Sequence, residues 1–193
     1  MQKNDLAPDF DLTLANGDAT SFYSLSAGKP AILFFYPSSA SYSKTCQKQA
    51  MAFNNALTEL GDNAQVIGVA IGNLSELKTF KDKFASDFPL GLIDKETQRL
   101  YGARKTGISS FLPNILASKR VTFIVNSDHS IARRIDLPSK ANGPEMTAHV
   151  KEAVSIIKDM SAVKSIKSNI TDKNWIDEVS KSTASNFKQG HGL

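Results

Sequence analysis

Between residues 10 and 22, FDLTLANGDATSF alternates apolar and polar positions on either side of Asn16 and Gly17. Alternation gives each flanking segment one apolar face, and Asn-Gly tolerates the positive φ of a tight turn, so the segment predicts a β-hairpin. The pattern changes at residues 31–36. There AILFFY is continuously apolar, short and closed by Pro37, as expected of a strand buried on both faces. It changes again at Cys46. Ala50, Phe53, Leu57 and Leu60 follow at steps of three and four, which is one face of a helix, and Gly61 is placed to stop it.

QVIGVAI (65–71) predicts a second buried strand. Ser75 is a candidate cap for the next helix, whose core face would carry Leu77, Phe80 and Phe84. FPLGLID (88–94) reads as a shorter strand and residues 94–102 as a short helix. Residues 103–120, ARKTGISSFLPNILASKR, are punctuated by Gly, Pro and Ser and read as a loop. RVTFIV (120–125) and SIARRI (130–135) then form a second hairpin around the turn NSDH. A last helix is expected over 144–160, with Met146, Val150, Ile157 and Met160 on or near one face. Strands alternating with helices predict an α/β layered fold, and the late hairpin makes its central sheet mixed. We expect one domain over residues 1–160. Residues 161–193 turn Ser-, Lys- and Asn-rich and are expected to be a polar extension, in part helical around 175–179 and otherwise without fixed structure.

Composition adds mostly exclusions. A hydrophobic share of 41% in 193 residues is enough to build a core without staples. The net charge is +4, half of it in the extension, where five Lys oppose three acidic residues. No dense basic run is interleaved with aromatics, so no nucleic-acid partner is expected. The longest apolar run is too short to span a bilayer, and no signal peptide is read at the N-terminus. Cys46 is the only cysteine of the sequence, and His129, His149 and His191 share no ligand spacing, so no metal site is expected. The three histidines are expected at the surface. Sparse cysteine fits a reducing compartment such as the cytoplasm.

Cys46 itself has two readings. A cysteine opening a helix directly after a buried strand meets free N–H groups and positive potential, which favour thiolate over thiol. It also falls on the stripe of Ala50, Phe53 and Leu57, where a buried cysteine fills space.

Three stretches carry a resemblance that weighs on this choice. Residues 7–37, APDFDLTLANGDATSFYSLSAGKPAILFFYP, resemble the opening of the peroxiredoxins, the alkyl hydroperoxide reductase and thiol-specific antioxidant family. The likeness is to the Q-type group, also called bacterioferritin comigratory proteins. CQKQAMAF resembles that group's C-T-x-Q-A-x-x-F helix start, with Gln49, Ala50 and Phe53 in register with Cys46. KRVTFIVNSDHSI resembles its R-x-S-F-L-I-D-x-D-G-x-I hairpin and supplies the family arginine, here Arg120.

The resemblance implies a thioredoxin-like fold and a thiol peroxidase that needs no cofactor. Cys46 would attack a hydrogen peroxide or alkyl hydroperoxide and become a sulfenic acid. Arg120 would stabilise the thiolate and polarise the peroxide, and Ser43, three residues before the cysteine, would bond the peroxide oxygens. Thr45, Tyr36 and Pro37 would line the substrate site, although Tyr36 and Pro37 also read as structural residues at the strand end. The position of the usual resolving cysteine is Met51. The resemblance therefore implies a one-cysteine cycle with an external reductant, thioredoxin-like or glutathione, in a monomer or homodimer.

The sequence departs from the family in one place. Cys46 lies nine positions after Pro37, two more than in the family loop P-x-x-x-[ST]-x-x-C, and Lys44 and Thr45 replace its proline and glycine. An alignment without a gap would put Ser41 and Lys44 at the hydroxyl and cysteine positions. The alternative function is a catalytically impaired thioredoxin-fold protein that serves as a redox-sensing or binding module.

Overall fold

The computed structural model describes residues 1–37, 44–85, 87–107, 117–138, 141 and 143–172. The chain divides into two units, residues 1–157 and 158–193.

The first hairpin forms where alternation places it, from β1 (Asp11–Leu14) and β2 (Ala19–Ser21). Gly17 takes φ +96° and donates to Leu14 O at 2.9 Å; an L side chain would strain this turn. A one-turn helix follows that the hydrophobic pattern did not mark, α1 (Phe22–Ser26). Its cap is Ser21, whose hydroxyl accepts from Ser24 N at 3.2 Å.

The strands join in one sheet of order β2-β1-β5-β4-β3-β6-β7. β3 (Ala31–Phe35) lies between β4 (Gln65–Ala70) and β6 (Arg120–Val125), and every residue of it is buried. It runs parallel to β4, with Phe35 opposite Val69, and antiparallel to β6, with Phe35 opposite Val121. β5 (Leu90–Leu92) extends the parallel part and pairs antiparallel with β1. β7 (Ile131–Leu137) returns antiparallel to β6. The sheet is thus mixed, as expected, with its parallel part centred on β3, β4 and β5.

Period-two alternation sorts the side chains of these strands onto two faces. Leu33, Phe35, Ile67, Val69, Val121, Phe123 and Val125 form one core cluster with Phe10, Phe22 and Tyr101. Phe34, Tyr36, Arg120 and Thr122 occupy the opposite face. There Phe34 stacks on Phe53, with ring centroids 4.7 Å apart. Gly68 on β4 makes room for this ring: a Cβ there would lie 2.5 Å from both Phe34 and Leu90.

The helices are α2 (Lys44–Leu60), α3 (Leu74–Phe84), α4 (Lys95–Leu100) and α5 (Gly143–Asp172). α2 begins two residues before Cys46. It buries Cys46, Gln49, Ala50, Phe53, Ala56 and Leu60, while Leu57 is half-buried. α3 is capped by Asn73, not Ser75: Asn73 is extended and its Oδ1 accepts from Glu76 N at 2.9 Å. A cap residue must stand outside the helix, and Ser75 is already inside α3. Asp94 caps α4, accepting from Thr97 N at 2.7 Å.

α5 is longer than the expected 144–160. Met146, Val150, Ala153, Val154 and Ile157 are buried, and the helix then continues to Asp172 with Val163 and Ile166 exposed. Met160, Val163, Ile166 and Ile170 carry the steps of three and four on past the expected boundary, within a stretch whose Ser, Lys and Asn content reads as a polar extension. The suggested helix around 175–179, and residues 108–116 of the expected loop, lie outside the described residues.

Two histidines depart from the surface expectation. His149 is 3% exposed on α5. His129 is half-buried and stacks on Tyr23 at 3.6 Å. Each fills an aromatic contact that spacing alone did not reveal. His191 lies outside the described residues.

Candidate active site

The carboxyl end of β3 and the amino end of α2 meet at Cys46. Residues 38–43, which connect the two elements and include Ser43, lie outside the described residues. Cys46 sits in the first turn of α2 and is 1% exposed. In that turn the backbone N–H groups have no intrahelical acceptor and the helix dipole is positive.

Arg120 reaches this point through strand register. Val121 pairs with Phe35, so Arg120 stands one place further along, level with Tyr36. Alternation turns it to the face that carries Thr122, toward α2. Its Nη2 donates to Cys46 Sγ at 3.1 Å and its Nη1 donates to Gln49 Oε1 at 2.9 Å. Cys46 and Gln49 are three apart on one helix face, and such residues are neighbours. One guanidinium therefore bridges both.

Arg120 is 2% exposed. Among the described residues no carboxylate pairs with it. A buried cation is costly unless a counter-charge faces it. Of its two side-chain partners, only the sulfur of Cys46 can become an anion.

The unpaired polar atoms around this pair share one property. Among the described residues, Tyr36 Oη, Gln49 Nε2 and Arg120 Nε are buried without a hydrogen-bond partner. Arginine only donates, so the Gln49 oxygen must face it and the amide nitrogen is left over. All three groups have hydrogens to give. The site holds donors in excess, which suits a ligand rich in lone pairs.

Tyr36 stacks on Phe80 at 5.6 Å and against Phe34 at 5.7 Å. Burial raises the pKa of its phenol above the ordinary value, and a thiolate at Cys46 would raise it further. Pro37 is buried at the end of β3, and Thr45 is half-buried in the first turn of α2. Lys44, which replaces the family proline, is exposed, and Met51 is 48% exposed.

The same face of the sheet carries a polar contact that sequence reasoning missed. Thr122 Oγ1 and His149 Nε2 are hydrogen-bonded at 3.0 Å. The His149 ring meets Phe53 edge-on at 5.9 Å. His149 thus ties α5 to both α2 and β6. Burial lowers its pKa to about 4, against a smaller opposing effect of Glu152. The signal was present: Met146, His149, Val150 and Ala153 fall on one helical face. Gln49 was legible as part of the family helix start, and its place one turn after Cys46 is what lets it share Arg120.

Among the described residues no group of three or more His, Cys, Asp or Glu is placed to hold a metal ion. Nor is any helix among them long and apolar enough to cross a membrane.

With this geometry in place, known proteins can be set beside it. Residues 4–134 match the model of the AhpC/TSA family. A chloroplastic peroxiredoxin Q of Triticum aestivum is 33% identical over 91 residues, which is 47% of this chain and 41% of that protein. The chain thus spans less than half the length of that curated relative. Among solved structures, the peroxidoxin BcpB of Mycobacterium tuberculosis aligns with a TM-score of 0.69 at 23% identity, over 82% of this chain and 97% of its own. A yeast mitochondrial 1-Cys peroxiredoxin, described with a thiol resolving mechanism via glutathione/thioredoxin systems, aligns with a TM-score of 0.67 at 19% identity, over 86% and 78%. These structural likenesses establish the thioredoxin-like fold, and the match over residues 4–134 establishes that the chain belongs to the AhpC/TSA family.

Proposed function

We propose that this chain is a thiol peroxidase of the one-cysteine type. Cys46 reduces hydrogen peroxide or alkyl hydroperoxides, and an external thiol regenerates it. The observation that carries this reading is the Arg120 guanidinium, buried without a carboxylate among the described residues and donating to Cys46 Sγ at 3.1 Å. A hydrogen bond from a cation is strongest to an anionic acceptor. The same cation, with the helix start, meets the charge that develops on the peroxide oxygens.

In the first step the thiolate attacks the terminal peroxide oxygen. The S–O bond forms, the O–O bond breaks, and an alcohol or water leaves while sulfur becomes a sulfenic acid. The spare donors around the site complement the lone pairs of a hydroperoxide. In this reading the Ser43 hydroxyl bonds the peroxide oxygens, and Thr45, Tyr36 and Pro37 line the substrate site.

In the second step an external thiolate attacks the sulfenic sulfur, water leaves, and a mixed disulfide forms. A further thiol releases Cys46. A single-cysteine sequence needs such a partner, because no disulfide can close within one copy. Thioredoxin-like proteins or glutathione supply this chemistry, which fits a reducing compartment such as the cytoplasm. Monomer and homodimer are both compatible with it.

Turnover tests the proposal. The protein should consume hydroperoxide catalytically with either thiol reductant, and the Cys46→Ser variant should not. Turnover that survives this substitution would remove Cys46 from the mechanism.

A further inference from the structure

The peroxidase reading leaves one proton unassigned. When the O–O bond breaks, the departing oxygen carries negative charge and needs a hydrogen-bond donor, then a proton. Resting on that reading, we propose that Tyr36 is a further catalytic residue, whose hydroxyl donates to the leaving oxygen.

Three observations lead there. Tyr36 is 1% exposed, yet its Oη has no partner among the described residues. A buried hydroxyl without a partner is costly, so its retention calls for an explanation. Packing does not provide one. The ring lies against Phe80 and Phe34, and a phenylalanine would make the same contacts. Third, register sets Tyr36 level with Arg120 and on the same face of the sheet, since Arg120 is one place beyond the Val121–Phe35 pair.

The other spare donors are chemically unsuited. Gln49 Nε2 is an amide nitrogen and Arg120 Nε belongs to a guanidinium, and neither gives up a proton at ordinary pH. Among the unpaired groups at the site the phenol is the strongest acid, and although burial weakens it, a departing alkoxide is a strong enough base to take its proton. Burial, reinforced by a thiolate at Cys46, keeps that phenol protonated, so the donor is in place before the peroxide arrives.

The step balances as follows. The Cys46 thiolate forms the S–O bond to the terminal oxygen, which keeps its hydrogen. The O–O bond breaks, and the departing RO⁻ takes the proton of Tyr36 Oη to become ROH. Sulfur has lost two electrons and the peroxide has gained them. The new sulfenic acid then returns its proton to the phenolate. Cys46 is left as sulfenate and Tyr36 is neutral again.

The test is the Tyr36→Phe variant, with three electrophiles compared in single turnover on Cys46. An alkyl hydroperoxide expels an alkoxide, which needs a proton. A peracid expels a carboxylate, and iodoacetamide expels iodide, and neither needs one. Tyr36→Phe should slow the alkyl hydroperoxide at least about tenfold, as expected on loss of a general acid. The peracid should be slowed much less and iodoacetamide not at all. Normal alkylation also reports that the variant keeps its folded site. Equal slowing of all three, or of none, would overturn the proposal. A wild-type rate no greater than that of free cysteine would overturn the peroxidase reading along with it. A fast wild type with an equally fast variant would overturn this proposal alone.

Discussion

Arg120 and Cys46, 74 positions apart in sequence, meet at 3.1 Å because β6 runs antiparallel to the strand that leads into the cysteine helix. Their contact depends on register, since a slip of one residue in β6 would turn Arg120 to the opposite face. Arg120→Met should therefore lower the rate of peroxide reaction at Cys46 by roughly 10²–10³-fold, the usual loss when a preorganised donor is removed. Arg120→Lys should restore only part of it, because an ammonium lacks the planar fork that bridges Cys46 and Gln49. Stopped-flow oxidation of each variant checks both statements.

Gln49 positions Arg120 by accepting from its Nη1 at 2.9 Å. Gln49→Leu keeps the volume but removes the acceptor from a buried cation. We expect a loss of about 1–3 kcal/mol in stability, the penalty for leaving a buried polar group unpaired. The peroxide rate should fall as well, while Gln49→Glu should recover the stability. Urea melts beside single-turnover rates separate the two effects.

His149 makes stability depend on pH. Its folded pKa is lowered to about 4 by burial, against an unfolded value of about 6.5. Between these values the unfolded chain binds the extra proton, so stability rises with pH. The contribution is complete above about pH 6.5 and is lost as pH falls toward 4. By pH 5 the loss from this group should be about 2 kcal/mol. Unfolding free energies from urea melts at pH 7 and pH 5 should differ by this amount more in the wild type than in His149→Gln.

Phe53 holds the cysteine helix to the sheet, stacked on Phe34 at 4.7 Å and met edge-on by His149. Phe53→Ala should cost about 3–5 kcal/mol, as for large aromatic truncations in a core. Thermal denaturation measures it. Phe53→Leu, which refills much of the space, should cost less.

Much of this fold was legible in advance because its signals are local. Asn16-Gly17 encodes a turn, the apolar run at 31–36 encodes a central strand, and the stripe from Cys46 to Leu60 encodes a buried helix face. Signals failed where the energy comes from elsewhere. Ser75 and Asn73 both make good caps, and only the backbone decides between them. The end of α5 does carry helical spacing, at Val163, Ile166 and Ile170, but in a stretch whose polar composition reads as an extension. His149 looked like a surface residue because its partner, Thr122, lies on a different element. The site was half legible for the same reason. The family pattern pointed to Cys46 and Arg120, while the bridge through Gln49 and the spare hydroxyl of Tyr36 emerge only when α2 is laid against β3 and β6.

The most direct test of the central claim is the second-order rate of Cys46 oxidation by hydrogen peroxide, followed by loss of titratable thiol at neutral pH. A buried, cation-paired sulfur at a helix start should react at least about a hundredfold faster than free cysteine under the same conditions. A rate equal to that of free cysteine would contradict it.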